Sequence, residues 1–251
     1  MEVIDSSFNQ SYDSYDTKTM TKEIQDQNIH LKFAVLATDV VLFALKDNEL
    51  FVRLITVDRP PAFPEGSRGF PGGLILPNET AEQAAARIIE QKADISAKKI
   101  YTDQLYTFSE IDRDPRGRVV AVSYIALTSW DDLSPKERYD GPESFWVKAK
   151  EVKGLAYDHD KMLEVALKRL QSKIRYTTVI GKLMGKEFTL GELERAYETI
   201  LGEEQDKRNF RKKIAKLNIL KELPYKQTGE AFRPARLYQF KSGEVKEIEI
   251  L

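Results

Sequence analysis

The 251-residue chain carries 39 Lys/Arg against 40 Asp/Glu, has 41% hydrophobic residues and contains no cysteine. This is ordinary for a globular protein of one large or two modest domains, and it excludes disulfides and thiolate metal sites. No apolar run approaches the ~18 residues needed to cross a bilayer, and no basic-then-apolar N-terminal segment marks a secretory signal. A cytoplasmic protein without a membrane partner is therefore expected.

Residues 1–27 are rich in Ser, Asp, Gln and Tyr without an apolar period, which predicts a flexible N-terminal arm. From Leu31 the texture changes. Two apolar runs, Phe33–Ala37 and Val40–Leu45, precede a turn at Lys46–Glu49 and a strand from Leu50 to Val57, together a hairpin feeding a mixed sheet. The Pro/Gly-rich stretch from Arg59 to Gly73 reads as a long loop. A helix should begin at Thr80, because Thr80 and Gln83 form a capping-box pattern and Ala84, Ala85, Ile88 and Ile89 share one helical face. Strands follow at Ile100–Phe108, Arg118–Leu127 and Ser144–Lys148, enough for a domain closing near residue 156.

A second helix starts at Asp158, with Leu163, Ala166, Leu167, Leu170 and Ile174 on one face. It reads as a linker over residues 157–175 that spaces two modules and pairs two subunits. His159, between two aspartates at its start, reads as part of a cap or an interdomain contact. Beyond it, Thr189 and Glu192 make another capping box, Gly202 stops that helix, and a further helix runs from about Asp206 to Leu220. A strand at Arg236–Phe240 completes the order helix, turn, helix, β-ribbon, which is that of a winged helix over residues 176–251.

Charge is distributed unevenly. From Asp206 to Lys241 there are eleven Lys/Arg against three acids, so the rest of the chain is net acidic. A basic block on an acidic chain suits a polyanionic partner, although most charge runs are solvated helix faces. With Phe210, Ile214 and Leu217 inward, Lys207, Arg208, Arg211 and Lys212 fall outward. Such a helix suits the DNA major groove, with Arg208, Asn209 or Arg211 within reach of base edges and Arg233 and Arg236 flanking the wing. A protein-binding winged helix is the alternative.

Between Gly73 and Ile95 the spacing resembles the Nudix box, G-x5-E-x7-R-E-U-x-E-E-x-G-U, where U is a bulky aliphatic residue. Gly73, Glu79, Arg87, Ile89 and Ile95 are in register. The glutamates after the arginine are replaced by Ile88, Gln91 and Lys92, and the late glycine by Asp94. Nudix hydrolysis needs carboxylates on one helical face to hold divalent ions beside a pyrophosphate. A lysine there reverses the sign of the interaction, so no catalytic or metal-binding residue is assigned. The expected role is recognition, with Arg59, Gly72, Gly73, Glu79, Arg87, Arg113 and Arg116 as ligand-binding candidates: glycines for close backbone approach, arginines as rigid donor forks. The alternative is an active nucleotide pyrophosphatase whose metal site is displaced onto Glu82 and Glu90.

The segments Leu155–His159, Phe188–Leu193, Tyr197–Gly202 and Asp206–Lys213, with the depleted box, resemble NrtR-type Nudix-related transcriptional regulators over residues 31–240. The resemblance implies an α+β chain. Its parts are an N-terminal Nudix-like α/β/α sandwich with a mixed sheet, spanning residues 28–156, and a C-terminal winged helix-turn-helix. It further implies a homodimeric repressor of NAD or sugar metabolism genes that binds double-stranded operator DNA. ADP-ribose or a related nucleotide would be its effector, with no cofactor required.

Overall fold

The computed structural model describes residues 34–59, 62–227 and 235–248. The N-terminal arm and Arg233 lie outside the described residues, as does the side chain of Arg59.

Strand β1 (Val35–Lys46) and β2 (Glu49–Arg59) form the expected hairpin. Its tight turn places Asp47 and Asn48 at φ 50° and 58°, the left-handed geometry that matches strand twist and that Asp and Asn tolerate. Strand β1 is central. It pairs with β2 on one side and in parallel with β6 (Val119–Ser129) on the other, and β5 (Tyr101–Phe108) pairs antiparallel with β6. The mixed sheet is thus as expected.

Where a loop was predicted from Arg59 to Gly73, the chain forms β3 (Phe63–Gly69) against β2 and β4 (Gly72–Leu74) against β1. The Pro and Gly signals misled because β3 is an edge strand, where a missing N–H donor is tolerated. Strand β7 (Ser144–Lys148) pairs with β2.

Period-two alternation along β1 explains the layers. Val40, Leu42 and Ala44 face helix α1 (Ala81–Lys92), burying its Ala85, Ile88 and Ile89. Val41 and Phe43 face the opposite way, into the cluster that holds Met162, Ala166, Leu170 and Ile174 of helix α3 (His159–Tyr176). Helix α1 begins at the Thr80–Gln83 capping box. A one-turn helix α2 (Pro135–Arg138), capped by Ser134 and Glu137, was not foreseen. Rather than standing free as a spacer, α3 supplies the second helical layer of an α/β/α sandwich, and Leu167 is only half-buried.

Beyond α3, β8 (Phe188–Thr189) leads into helix α4 (Leu190–Leu201), capped by Thr189 and Glu192 and ended by Gly202 at φ 73°. Helix α5 (Lys207–Leu217) starts with the Asp206 carboxylate accepting from Asn209 N. It stops three residues earlier than predicted, because Asn218 takes the left-handed conformation at φ 52° and Leu220 opens the ribbon. Strands β9 (Leu220–Gln227) and β10 (Ala235–Phe240) form that wing, with β8 on the far side of β10. One apolar cluster runs from the sheet through α3 to Leu193, Tyr197, Phe210 and Ile214. The hairpin turn adds polar ties to α4: Thr199 Oγ1 donates to Asn48 O at 2.8 Å and Arg195 Nε to Asn48 Oδ1 at 3.2 Å.

Candidate functional site

At the Nudix-box positions the replacements are structural, not merely absent carboxylates. Ile88 is wholly buried and packs under Gly73. The Lys92 ammonium donates to the carbonyl of Gly72. Glu79 and Arg87 are paired with each other. Arg87 Nε donates to Glu79 Oε2 at 2.9 Å and its Nη2 to Leu74 O at 2.9 Å, while Glu79 Oε1 accepts from Leu76 N. That fork braces the loop between β4 and α1 against the helix, and holds the Glu79 carboxyl below its usual range. Among the described residues no group of three or more acidic or histidine side chains is placed to hold a metal ion.

The other expected anion holders are engaged internally. Arg113 is buried, and its guanidinium reaches Asp158 Oδ1 at 2.8 Å, Asp158 Oδ2 at 3.0 Å and Asp39 Oδ2 at 3.3 Å. Arg116 binds both oxygens of Asp114, at 2.9 and 2.6 Å, and lies over the Tyr157 ring. A guanidinium already matched to carboxylates has few donors left for a phosphate. Arg113 is therefore a brace between β1, its own loop and the start of α3 rather than an open ligand contact.

Sequence reasoning missed the centre of this cluster, Asp39. A single acid inside a strand buried on both faces was the available signal. Strand pairing sets Asp39 opposite Gly72, and a Cβ on Gly72 would sit 1.9 Å from Asp39 Oδ1, so only glycine fits. Burial raises the Asp39 carboxyl to about 6, with Arg113 pulling the other way. His159 lies 3.8 Å from the same carboxylate. Burial pushes its imidazole down to about 4, so it is neutral at pH 7. Its Nδ1 accepts from Phe70 N at 2.9 Å, which puts its proton on Nε2. Gly72 and Gly73 thus rest on a buried polar cluster that continues into the first turn of α3.

The winged helix presents the predicted cationic face. Lys207, Arg208, Asn209, Arg211, Lys212, Lys213 and Lys216 are all exposed on α5, while Phe210 and Ile214 are buried. On the wing, Arg236 is exposed but paired with Glu222 across the ribbon at 2.8 Å.

A Nudix-type α/β/α sandwich with a depleted box, continuous with a winged helix-turn-helix, defines the class: a Nudix domain fused to a nucleic-acid-binding type of module. The chain matches the NUDIX domain over residues 35–166 and the NrtR DNA-binding winged helix domain over residues 180–240. It belongs to the NrtR family. It is 30% identical over 210 residues, 82% of each chain, to the ADPR responsive transcriptional repressor NtrR of Acinetobacter baylyi. Its fold superposes on Shewanella oneidensis NrtR complexed with a 27mer DNA with a TM-score of 0.72 and 32% identity, covering 82% of this chain and 93% of that one. It is also 27% identical over 151 residues to an ADP-ribose pyrophosphatase of Methanocaldococcus jannaschii, covering 60% of this chain and 83% of that protein.

Proposed function

We propose that the chain is a DNA-binding transcriptional repressor whose Nudix domain binds ADP-ribose without hydrolysing it. The observation that carries this reading is the exchange on α1: a core isoleucine and a lysine bonded to Gly72 stand where metal-holding carboxylates belong. The relative named above is ADPR responsive, and the Shewanella relative is complexed with DNA. In this reading residues 28–156 sense the effector, and residues 176–251 hold double-stranded operator DNA through Arg208, Asn209, Arg211 and Lys212 in the major groove, with Lys207 on a phosphate. Arg236 stands on strand β10 of the wing. Gly72, Gly73 and Lys92 supply the surface for the diphosphate, and two chains engage two half-sites as a homodimer.

Ligand and operator are coupled, so each changes the affinity of the other by the same factor. The test is retention of host genomic fragments on the purified protein, with and without ADP-ribose. Recovery of a shared sequence that ADP-ribose releases supports the reading. Rapid Mg²⁺- or Mn²⁺-dependent cleavage of ADP-ribose would favour the pyrophosphatase alternative instead.

A further inference from the structure

Helix α4 buries a carboxylate directly beneath the cationic helix. Glu194 is only 3% exposed, and its Oε1 finds no hydrogen-bond partner among the described residues. A buried carboxylate oxygen without a hydrogen bond is costly and rare. The neighbouring cations belong to α5: Arg211 Nη2 lies 3.5 Å from Oε2 and Lys207 Nζ 3.9 Å from Oε1. Residues 207 and 211 are one helical turn apart, so both sit on one flank of α5. Arg208, Asn209 and Lys212 are exposed and make no ion pair with it.

From this arrangement we infer that Glu194 is a positioning residue for DNA recognition. It holds Arg211 and Lys207 at a fixed place on the flank of α5 and offsets part of their charge. The inference rests on α5 being the DNA-contacting helix, as proposed above. Two exposed cations left free would seek any phosphate, and phosphate attraction carries no sequence information. Tied to a buried anion, they must exchange one negative partner for another, so sequence-independent binding gains less from them. Their restricted geometry favours contacts made at one register only. Glu194 thereby lowers affinity for arbitrary duplex and raises discrimination.

The experiment uses the full chain and a random-sequence 27-base-pair duplex, with affinity measured by fluorescence anisotropy from 50 to 300 mM KCl. Glu194→Gln keeps the shape and removes the charge. It is expected to tighten binding about tenfold at the lowest salt and to steepen the dependence of log affinity on log salt by about one to two, as one or two more phosphates are engaged. In a Lys207→Gln/Arg211→Gln background the same change should have no effect, because the cations through which it acts are gone. An effect of equal size in that background would show a packing role and overturn the inference. So would an unchanged affinity and slope for folded Glu194→Gln. Should Glu194→Gln fail to fold, Glu194→Met, close in volume and uncharged, gives the same comparison in the two backgrounds. Arg208→Ala/Lys212→Ala tests the underlying reading separately: unchanged duplex binding there would remove α5 as the interface, and this inference with it, whereas weakened binding beside an inert Glu194→Gln would sink this inference alone.

Discussion

The backbone N–H of Phe70 donates to Nδ1 of His159 at 2.9 Å, and the two rings stack with centroids 5.3 Å apart. Phe70 opens the turn that ends in Gly72 and Gly73, and His159 is the first residue of α3. The contact is buried, and a Cβ on Gly69 would lie 2.9 Å from the imidazole. Arg113 closes the same junction from the other side by gripping Asp39 and Asp158 together. A displacement of the glycine turn by a diphosphate therefore bears directly on the helix that leads to the winged module.

His159→Ala breaks that connection. The buried Phe70 amide loses its acceptor, which costs about 1–3 kcal/mol, and the vacated ring space adds to the loss. Since α5 is untouched, duplex affinity without ligand should stay within about twofold of the parent, while the response to ADP-ribose is lost. Anisotropy titrations with and without saturating ADP-ribose measure both quantities. A full response in the variant would show that coupling takes another route.

Asp39 and His159, both buried, impose opposite pH dependences. The Asp39 carboxyl, raised by burial from 3.8 to about 6, favours the folded state below its unfolded value, and that contribution is lost as pH rises through 6. The His159 imidazole, lowered by burial from 6.5 to about 4, favours the folded state above 6.5, and that contribution is lost as pH falls through 4. Each gap corresponds to roughly 3 kcal/mol, so between pH 4 and 6.5 the two nearly cancel. Asp39→Asn leaves the histidine unopposed, and stability relative to the parent should fall by roughly 3 kcal/mol from pH 6.5 to 4. His159→Gln should show the reverse slope. Urea unfolding at four pH values checks this, and a parent-minus-variant difference that stays flat would refute it.

The layered fold was legible because its signals are local. Thr80, Thr189 and Gly202 mark helix ends through hydrogen bonds made within a few residues, and the α5 stripe of Phe210 and Ile214 follows from helical period alone. The candidate site was less legible. Arg87, Arg113 and Arg116 matched the chemistry of an anion holder, but their partners fix what they do. Asp39 lies 74 residues from Arg113 and 120 from His159 in sequence, and only strand pairing brings Gly72 against it. The Arg59–Gly73 strands were hidden for a related reason, since an edge strand is defined by its neighbour rather than by its own composition.

Lys92 should replace the divalent ion in ligand binding. Its ammonium donates to Gly72 O and lies 3.6 Å from where a Cβ on Gly73 would be, so a diphosphate resting on the glycines would meet a fixed positive charge. ADP-ribose affinity is then expected to be the same in excess EDTA as in Mg²⁺, and to fall about tenfold in Lys92→Met, the loss of one charge-assisted hydrogen bond of roughly 1.5 kcal/mol. Lys92→Arg should retain most of it. Calorimetry in both buffers decides the matter: binding that vanishes with EDTA, or that survives Lys92→Met undiminished, contradicts the assignment.

On α5, charge and packing should separate cleanly. Arg208 and Lys212 are exposed, one turn apart, and free of the Glu194 pairing, so replacing either with alanine should leave thermal stability within ~0.5 kcal/mol of the parent. Each change that removes a phosphate contact should reduce the salt slope of duplex binding by about 0.9. If Arg208 reads a base edge, its alanine variant should lose about 1–3 kcal/mol on the operator and far less on random duplex. Phe210→Ala acts by a different route. Its ring is buried against Tyr197 with centroids 5.2 Å apart, so truncation should cost about 3–5 kcal/mol and abolish binding by loosening the helix rather than by removing charge. Melting curves run beside anisotropy tell these apart. An Arg208→Ala/Lys212→Ala protein that melts normally and binds duplex with the parent's salt slope would mean that the cationic face of α5 is only solvated.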